Sequence, residues 1–526
     1  MRRDPHLAPR AANHRPLSPL DFLDRAVGVH PNRLAVIWQD QRFTYAEFGA
    51  MVARMAGWLR GRGVGAGDVV SVMLPNRPEM LAAHYAVPLV GAVLNAINTR
   101  LDAETVRYIL SHAESRLVLA CRATAETATR AASAAGTPCV VLEVDAPGFL
   151  TGPATLPDDL LADVADEWQP LALNYTSGTT GHPKGVVYHH RGAYLNALGN
   201  VLALGLNRSS VYLWTLPMFH CSGWCHTWAV TAAGGVHVCL DRVDPVEILA
   251  AIGAHGITHM SCAPVVLYLL LNSPAREGFR PAQRGLVVSG GAAPSVALIA
   301  GLDSMGLDFL HLYGLTESYG PATLCALDPE AATLPTEAKA RLLSRQGSRH
   351  PTASGIKVLA FDGVPVPQDG VTAGEIVLCG NTLMAGYYRD AAATELAFAD
   401  GVFHTGDLAV RHPNGEIEIR DRIKDVIISG GENISSLEVE NALHRHPAVL
   451  LAAVVAGPDP KWGEVPCAFV ELKPGRAVDA EALRLFCRDH LAHYMVPRRI
   501  TFGDLPRTAT GKIQKFILRD RARAAP

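Results

Sequence analysis

Tyr175-Thr-Ser-Gly-Thr-Thr-Gly-His-Pro-Lys-Gly185 is the stretch from which the rest of this 526-residue chain can be read. It follows Leu171-Ala-Leu-Asn-Tyr175, an apolar run that reads as a buried strand, so the loop is expected to emerge at the edge of a sheet. Thr176, Ser177, Gly178, Thr179 and Thr180 offer backbone N–H and hydroxyl donors, a surface suited to phosphate oxygens. Lys184 adds a point charge, and Pro183 limits the loop's freedom and so the cost of ordering it. No Gly-Lys-Ser or Gly-Lys-Thr stands at the spacing of a Walker A loop. A flexible Ser/Gly linker has a similar composition, but the strand in front and the lysine weigh against it.

Length and composition bound the rest. A chain of 526 residues is too long for one ordinary core, and 49% apolar with 18% charged residues fits a well-packed enzyme of two or more domains. With Lys+Arg 47 against Asp+Glu 50 there is no polyanion bias, so no nucleic acid partner is expected. The ten cysteines are scattered, mostly in apolar runs such as Val238-Cys239-Leu240, and read as reduced core residues of a cytoplasmic protein. Leu81 to Ile97, the longest apolar region, is broken by His84, Pro88 and Asn95; it reads as a core helix followed by a strand, and no membrane span is expected. The first sixteen residues, with Arg2, Arg3, Arg10 and Arg15 but no apolar core, read as a flexible arm, and Ala524-Ala525-Pro526 matches no peroxisomal or prenylation signal.

Along the chain, Thr44 is placed to cap a helix bearing Phe48, Val52, Met55 and Leu59, followed by a strand at Val69 to Leu74. Short apolar runs recur at Leu117, Cys139, Leu171, Val211, Val236, Ile257, Leu286 and Phe309, with helical patterns such as Pro245 to Ala254 between them. That alternation predicts an α/β fold of stacked βαβ sheets. After Pro351 the pattern turns to a β-rich subdomain, and beyond the charged strip Asp421-Arg-Ile-Lys-Asp425 about a hundred residues read as a small α+β domain. The expected division is an arm at 1–16, a large N-terminal domain at 17–420, a hinge at 421–424 and a mobile C-terminal domain at 425–526.

Six motifs in order resemble the adenylate-forming superfamily of acyl-CoA synthetases, luciferases and peptide-synthetase adenylation domains. They are Tyr175 to Gly185, Ser289-Gly-Gly-Ala-Ala-Pro294, Tyr313-Gly-Leu-Thr-Glu317, His404-Thr-Gly-Asp407, Asp421 to Asp425 with Ser429-Gly-Gly-Glu-Asn433, and Thr510-Gly-Lys512. Any one is a short string; the ordered set is specific. The resemblance implies that ATP and a carboxylic acid give an acyl-adenylate and pyrophosphate, after which a thiol captures the acyl group. ATP, Mg²⁺ and coenzyme A are the implied cofactors.

The same resemblance implies the roles. Lys512, carried by the small domain, would bridge acid and phosphate oxygens as charge develops at the α-phosphorus. Glu317 would hold Mg²⁺, with Thr179 or Thr316 beside it. Asp407 would accept the ribose hydroxyls, and Arg422 would add a ribose or phosphate contact. Gly290, Gly291 and Ala292 would let the backbone approach adenine and the carboxylate, with Tyr313 stacking on the base. In Leu216-Pro-Met-Phe-His-Cys-Ser-Gly-Trp224, His220 would sit beside the carboxylate. His220, Cys221, Cys225 and His226 could be drawn as a zinc site, but adjacent residues rarely ligate one ion well. Lys424 would be the hinge residue, and rotation about it would withdraw Lys512 and bring Gly430 and Gly431 to the pantetheine tunnel.

Through Pro217-Met-Phe-His-Cys-Ser-Gly-Trp-Cys225, Ile434-Ser-Ser-Leu-Glu-Val-Glu440 and Gly511-Lys-Ile-Gln-Lys515 the chain looks most like the branch of acyl-CoA synthetases handling medium-chain, methylthiopropionate-type and small aromatic acids. Ser222, His226 and His350 depart from the Asn, Phe and Tyr expected there, which favours a polar-substituted acid over a plain alkyl chain. Trp224 and Trp228, one helical turn apart by spacing, read equally as a pocket wall or as core. Two alternatives stay open at this point: another acceptor, either a carrier protein or nitrite in an aryl-amine diazotisation, and a nucleotide sensor without turnover. The expected partner is a small-molecule carboxylic acid, with a homodimer as the assembly kept open.

Overall fold

Apolar runs with no polar alternation must be covered on both faces, and they build the interior strands of this molecule. The computed structural model describes residues 5–142, 154–176, 182–290, 294, 296–328, 330–507 and 513–524. Val69–Met73, buried at every position, pairs in parallel with Val93–Ala96 and Ser115–Cys121 in the middle of a seven-stranded sheet. A nine-stranded sheet runs from Ser348–Arg349 through Gly320–Cys325, Leu307–Leu315, Gly285–Gly290, His259–Cys262, Val211–Trp214, Val236–Cys239 and Leu34–Trp38 to Gln41–Thr44. Its inner strands are parallel and its outer pairs antiparallel, so the expected βαβ core is present with hairpins added at both edges. One large apolar core joins residues of both sheets and of the helices between them, including Phe48, Tyr85, Trp214 and Trp228.

Local signals explain the helices. Thr44 and Glu47 form a reciprocal capping box on Tyr45–Arg60, and Asp244 caps Pro245–His255 with Pro245 at its first position. The expected strand at Ile257 begins at His259 instead.

The β-rich segment is a four-stranded antiparallel sheet, Gly355–Leu359, Ala373–Cys379, Phe403–Arg411 and Ile417–Arg422. A fourth sheet is formed by Ile427–Ser429, Glu432–Ile434, Val449–Asp459, Gly463–Leu472 and Arg499–Phe502. Ser436–His444 and Ala480–Arg488 cover one face through Val439, Leu443, Leu483 and Cys487, while Lys515–Ala524 covers the other through Leu518 and Ala522. That is the α+β architecture expected for the C-terminal segment. Among the described residues no helix is long and apolar enough to cross a membrane.

Candidate active site

The hydroxyl-rich stretch stands in the sequence between two strands that pair with each other. Pro170–Thr176 runs antiparallel to Lys184–His189, with Tyr175 opposite Gly185 and Thr176 opposite Lys184. Ser177, Gly178, Thr179 and Thr180 lie outside the described residues, as do Gly291, Ala292 and Lys512. Lys184 is the first residue of a strand, and its ammonium lies 4.8 Å over the Tyr387 ring and 3.8 Å from Asp390 Oδ2. The Tyr387 hydroxyl donates to Glu317 Oε1 at 2.8 Å, so Lys184 and Glu317 share one aromatic neighbour. Burial and the Glu317 charge push the Tyr387 phenol up, which keeps it a donor. A carboxylate has about four lone-pair directions, so this bond leaves Glu317 with capacity for a hard cation such as Mg²⁺.

Thr316 and Glu317 lie on the single turn Thr316–Ser318, held by the Tyr188 hydroxyl donating to the Thr316 carbonyl at 2.7 Å and Met384 N–H donating to the Glu317 carbonyl at 2.8 Å. The acyl motif meets this turn through Cys221. Its Sγ is 3.8 Å from His220 Nε2 and 3.4 Å from Thr316 Oγ1. Two motifs almost a hundred residues apart are thus joined by one thiol.

Cys221, Ser222, Gly223, Trp224 and Cys225 all have positive φ, between 45° and 61°, and form one left-handed turn. Each non-glycine residue there costs about 1–2 kcal/mol, so such a run persists only when its surroundings hold it. Ser222 N–H and hydroxyl both donate to Asn174 Oδ1 at 3.1 Å, Asn200 Nδ2 donates to the Trp224 carbonyl at 2.9 Å, and Cys225 Sγ contacts the Tyr319 carbonyl at 3.6 Å. At Gly223 a Cβ would meet the Trp214 ring at 2.8 Å. The expectation that Trp224 and Trp228 share a helix is therefore corrected: the helix starts at His226, and the left-handed turn precedes it. Trp228 is fully buried with its indole N–H 3.3 Å from the His84 carbonyl, which makes it core.

At the carboxyl end of the parallel strands, Tyr313 donates its hydroxyl to Asp407 Oδ2 at 2.7 Å, and Arg422 Nε lies 3.3 Å from Asp407 Oδ1. The antiparallel register sets Asp407 directly opposite Arg422. Asp407 is 4% exposed, and each oxygen keeps a lone pair for a further donor. Gly290 ends the strand Gly285–Gly290 beside Leu312, where a Cβ would come within 2.6 Å of the Leu312 carbonyl.

Lys424 lies in the short turn Ile423–Asp425. Desolvation, then Arg422 and Arg519, push its amine down to about 8. Arg519, from the last helix, also pairs with Asp425. Asp421 accepts the Ser436 N–H at 2.5 Å and its hydroxyl at 3.0 Å, tying the four-stranded sheet to the first helix of the C-terminal segment. Gly430 and Gly431, at φ 61° and 92°, form the turn between Ile427–Ser429 and Glu432–Ile434, and Gly430 lies against Trp462 so closely that a Cβ would meet its ring at 2.6 Å. Sequence reasoning missed Tyr387, Asn174 and the linking role of Cys221. The Gly386-Tyr-Tyr-Arg-Asp390 run could have flagged Tyr387, but no local pattern signals the other two.

Comparison with known proteins agrees with this geometry. The family described as AMP-binding enzyme matches residues 23–388, and its C-terminal domain matches residues 438–512. An acetate–CoA ligase of Humulus lupulus is 44% identical over 98% of this chain and 96% of its own length. A peroxisomal acetate/butyrate–CoA ligase of Arabidopsis thaliana is 45% identical over 97% and 95%. The crystal structure of the anthranilate CoA ligase AuaEII in complex with anthranoyl-AMP superposes with a TM-score of 0.85 at 25% identity, covering 98% of this chain and 99% of that one. With ordered motifs, matching domains and full-length relatives in agreement, the chain belongs to the AMP-binding enzyme family and is an ATP-dependent, AMP-forming acid–thiol ligase.

Proposed function

We propose that this ligase activates a short aliphatic or small aromatic carboxylic acid as its acyl-adenylate and transfers the acyl group to coenzyme A. ATP, Mg²⁺ and coenzyme A are its cofactors, as for the ligases it resembles. The observation that carries the reading is the His220–Cys221–Thr316 chain, which sets an acyl-side imidazole against the Thr316–Glu317 turn. An acid carboxylate held by His220 would there face a phosphate group held from Thr176, Lys184 and Thr316. Mg²⁺ on Glu317 would neutralise phosphate charge. Asp407, fixed by Tyr313 and Arg422, would take the ribose hydroxyls, and Gly290 with Gly291 and Ala292 would let the base and carboxylate approach the backbone.

Lys512 is proposed as the cation that bridges acid and α-phosphate, and Lys424 as the pivot at 421–424 that separates the N-terminal domain from residues 425–526. Supporting this, the Asp421–Ser436 contact between the four-stranded sheet and the first helix of the C-terminal segment is polar, so other polar partners or water can replace it on rotation. The Gly430–Gly431 turn would then face the thiol arm. A homodimer and a cytoplasmic location belong to the same proposal and are read by sedimentation and fractionation. The deciding experiment is acid-dependent ATP–pyrophosphate exchange followed by coenzyme A-dependent AMP release, over acetate, butyrate, benzoate and anthranilate. Exchange with none of them, or exchange without thioester, would overturn the reading.

A further inference from the structure

Beneath the left-handed turn, several buried polar side chains come together with hydrogen-bonding capacity to spare. His226 opens the helix His226–Ala233, is fully buried, and has Nδ1 3.2 Å from the Gly223 carbonyl oxygen. A carbonyl only accepts, so Nδ1 carries the proton and Nε2 presents a bare lone pair. That Nε2 has no hydrogen-bond partner among the described residues. Burial, with His259 and His350 nearby, pushes the ring down to about 3, so it stays a neutral acceptor. The His226 ring stacks on Tyr212, centroids 5.1 Å apart at 26°. Tyr212 is aligned with His259 on the adjacent strand, so Ser261, two residues further along, projects from the same face. The Tyr212 hydroxyl and Ser261 are buried and lie close enough to interact, Ser261 offsetting part of the burial that raises the phenol, but neither side-chain oxygen makes a well-formed hydrogen bond among the described residues. Nor does Nε2 of His350, whose other nitrogen lies 3.3 Å from Thr352 Oγ1.

Leaving buried polar groups unpaired is costly, and a cluster of them calls for a shared partner. Building on the ligase reading above, we infer that His226, Tyr212 and Ser261 form the far wall of the acyl pocket and recognise a hydroxyl group on the acid, remote from its carboxylate. The cluster is joined to the reacting end by the shortest route in the chain: Gly223, which holds His226, follows Ser222, Cys221 and His220 in the same turn. The donor and acceptor balance selects the group. His226 Nε2 accepts, the Tyr212 hydroxyl donates, and Ser261 does either, so a hydroxyl that both donates and accepts satisfies the set. An ammonium or second carboxylate would be stripped of water among neutral side chains and is rejected. A plain alkyl or aryl end leaves the wall unpaired, the situation in which hydrogen-bonding pockets discriminate most strongly.

The test compares matched acids, butyrate with 4-hydroxybutyrate and benzoate with 4-hydroxybenzoate, by kcat/KM for pyrophosphate release. The wild type is expected to prefer the hydroxylated member of at least one pair by about tenfold or more. His226→Phe should remove or invert that preference, and Tyr212→Phe should weaken it. An unchanged ratio in His226→Phe would overturn the inference and assign the cluster to internal water only. Absence of pyrophosphate release with every acid would instead refute the ligase reading. In that event the rise in melting temperature on adding each acid, compared between wild type and Tyr212→Phe, still decides whether the wall binds a hydroxyl.

Discussion

Replacing Tyr313 by Phe removes one oxygen and leaves the ring. That oxygen donates to Asp407 Oδ2 at 2.7 Å, and Asp407 is 4% exposed, so the lost contact is a charge-assisted hydrogen bond to a nearly dry carboxylate. Such bonds contribute about 1.5–3 kcal/mol, equivalent to roughly a tenfold to hundredfold change in an equilibrium constant. Arg422 still faces the other oxygen at 3.3 Å, and the carboxylate is expected to turn toward it and lose its grip on the nucleotide sugar. The KM for ATP in acid-dependent pyrophosphate release should therefore rise about tenfold or more, with the KM for coenzyme A little changed. Discrimination against 2′-deoxy-ATP should fall in parallel. A folded Tyr313→Phe protein with unaltered KM for ATP would refute the assignment of Asp407 to the sugar.

Glu317→Gln keeps an acceptor for Tyr387 but removes the charge, and the Mg²⁺ concentration giving half-maximal activity should rise about tenfold; an unchanged Mg²⁺ dependence would move the ion elsewhere. Gly223→Ala forces a methyl to within 2.8 Å of the Trp214 ring at φ 61°, and should cost about 1–3 kcal/mol in stability, seen as a lowered melting temperature. Burial pushes His84, His311 and His350 down to about 4 and His190, His226 and His237 to about 3. Between the unfolded value near 6.5 and these folded values the unfolded chain binds more protons. Stability therefore falls as pH drops through that window, by about 1.4 kcal/mol per pH unit for each such histidine. A melting temperature flat from pH 7 to pH 5 would contradict this.

The sheets were legible because their strands are continuous apolar runs, and Thr44 with Glu47 marked a helix start that the backbone adopts. The motif order carried the family. What lay beyond the sequence is contact between distant segments and backbone of unusual hand. Nothing local indicates that the thiol of Cys221 meets Thr316, or that Asn174, two residues before the hydroxyl-rich loop, clamps Ser222. Trp224 and Trp228 have helical spacing, yet Cys221 to Cys225 wind left-handed because Asn174, Asn200 and Tyr319 hold them so. Lys184 reads as a loop charge, but cross-strand pairing with Thr176 begins at that residue and aims its ammonium at Tyr387. His226 and His350, where the resemblance leads one to expect Phe and Tyr, share the buried polar region under that turn.

The most direct test of the central claim separates the two half-reactions in a Lys512→Ala protein. If a lysine from the C-terminal segment bridges acid and α-phosphate, ATP–pyrophosphate exchange should fall by at least a hundredfold while thioester formation from supplied acyl-adenylate and coenzyme A proceeds near the wild-type rate. Equal loss in both steps, or exchange that survives the substitution, would contradict it.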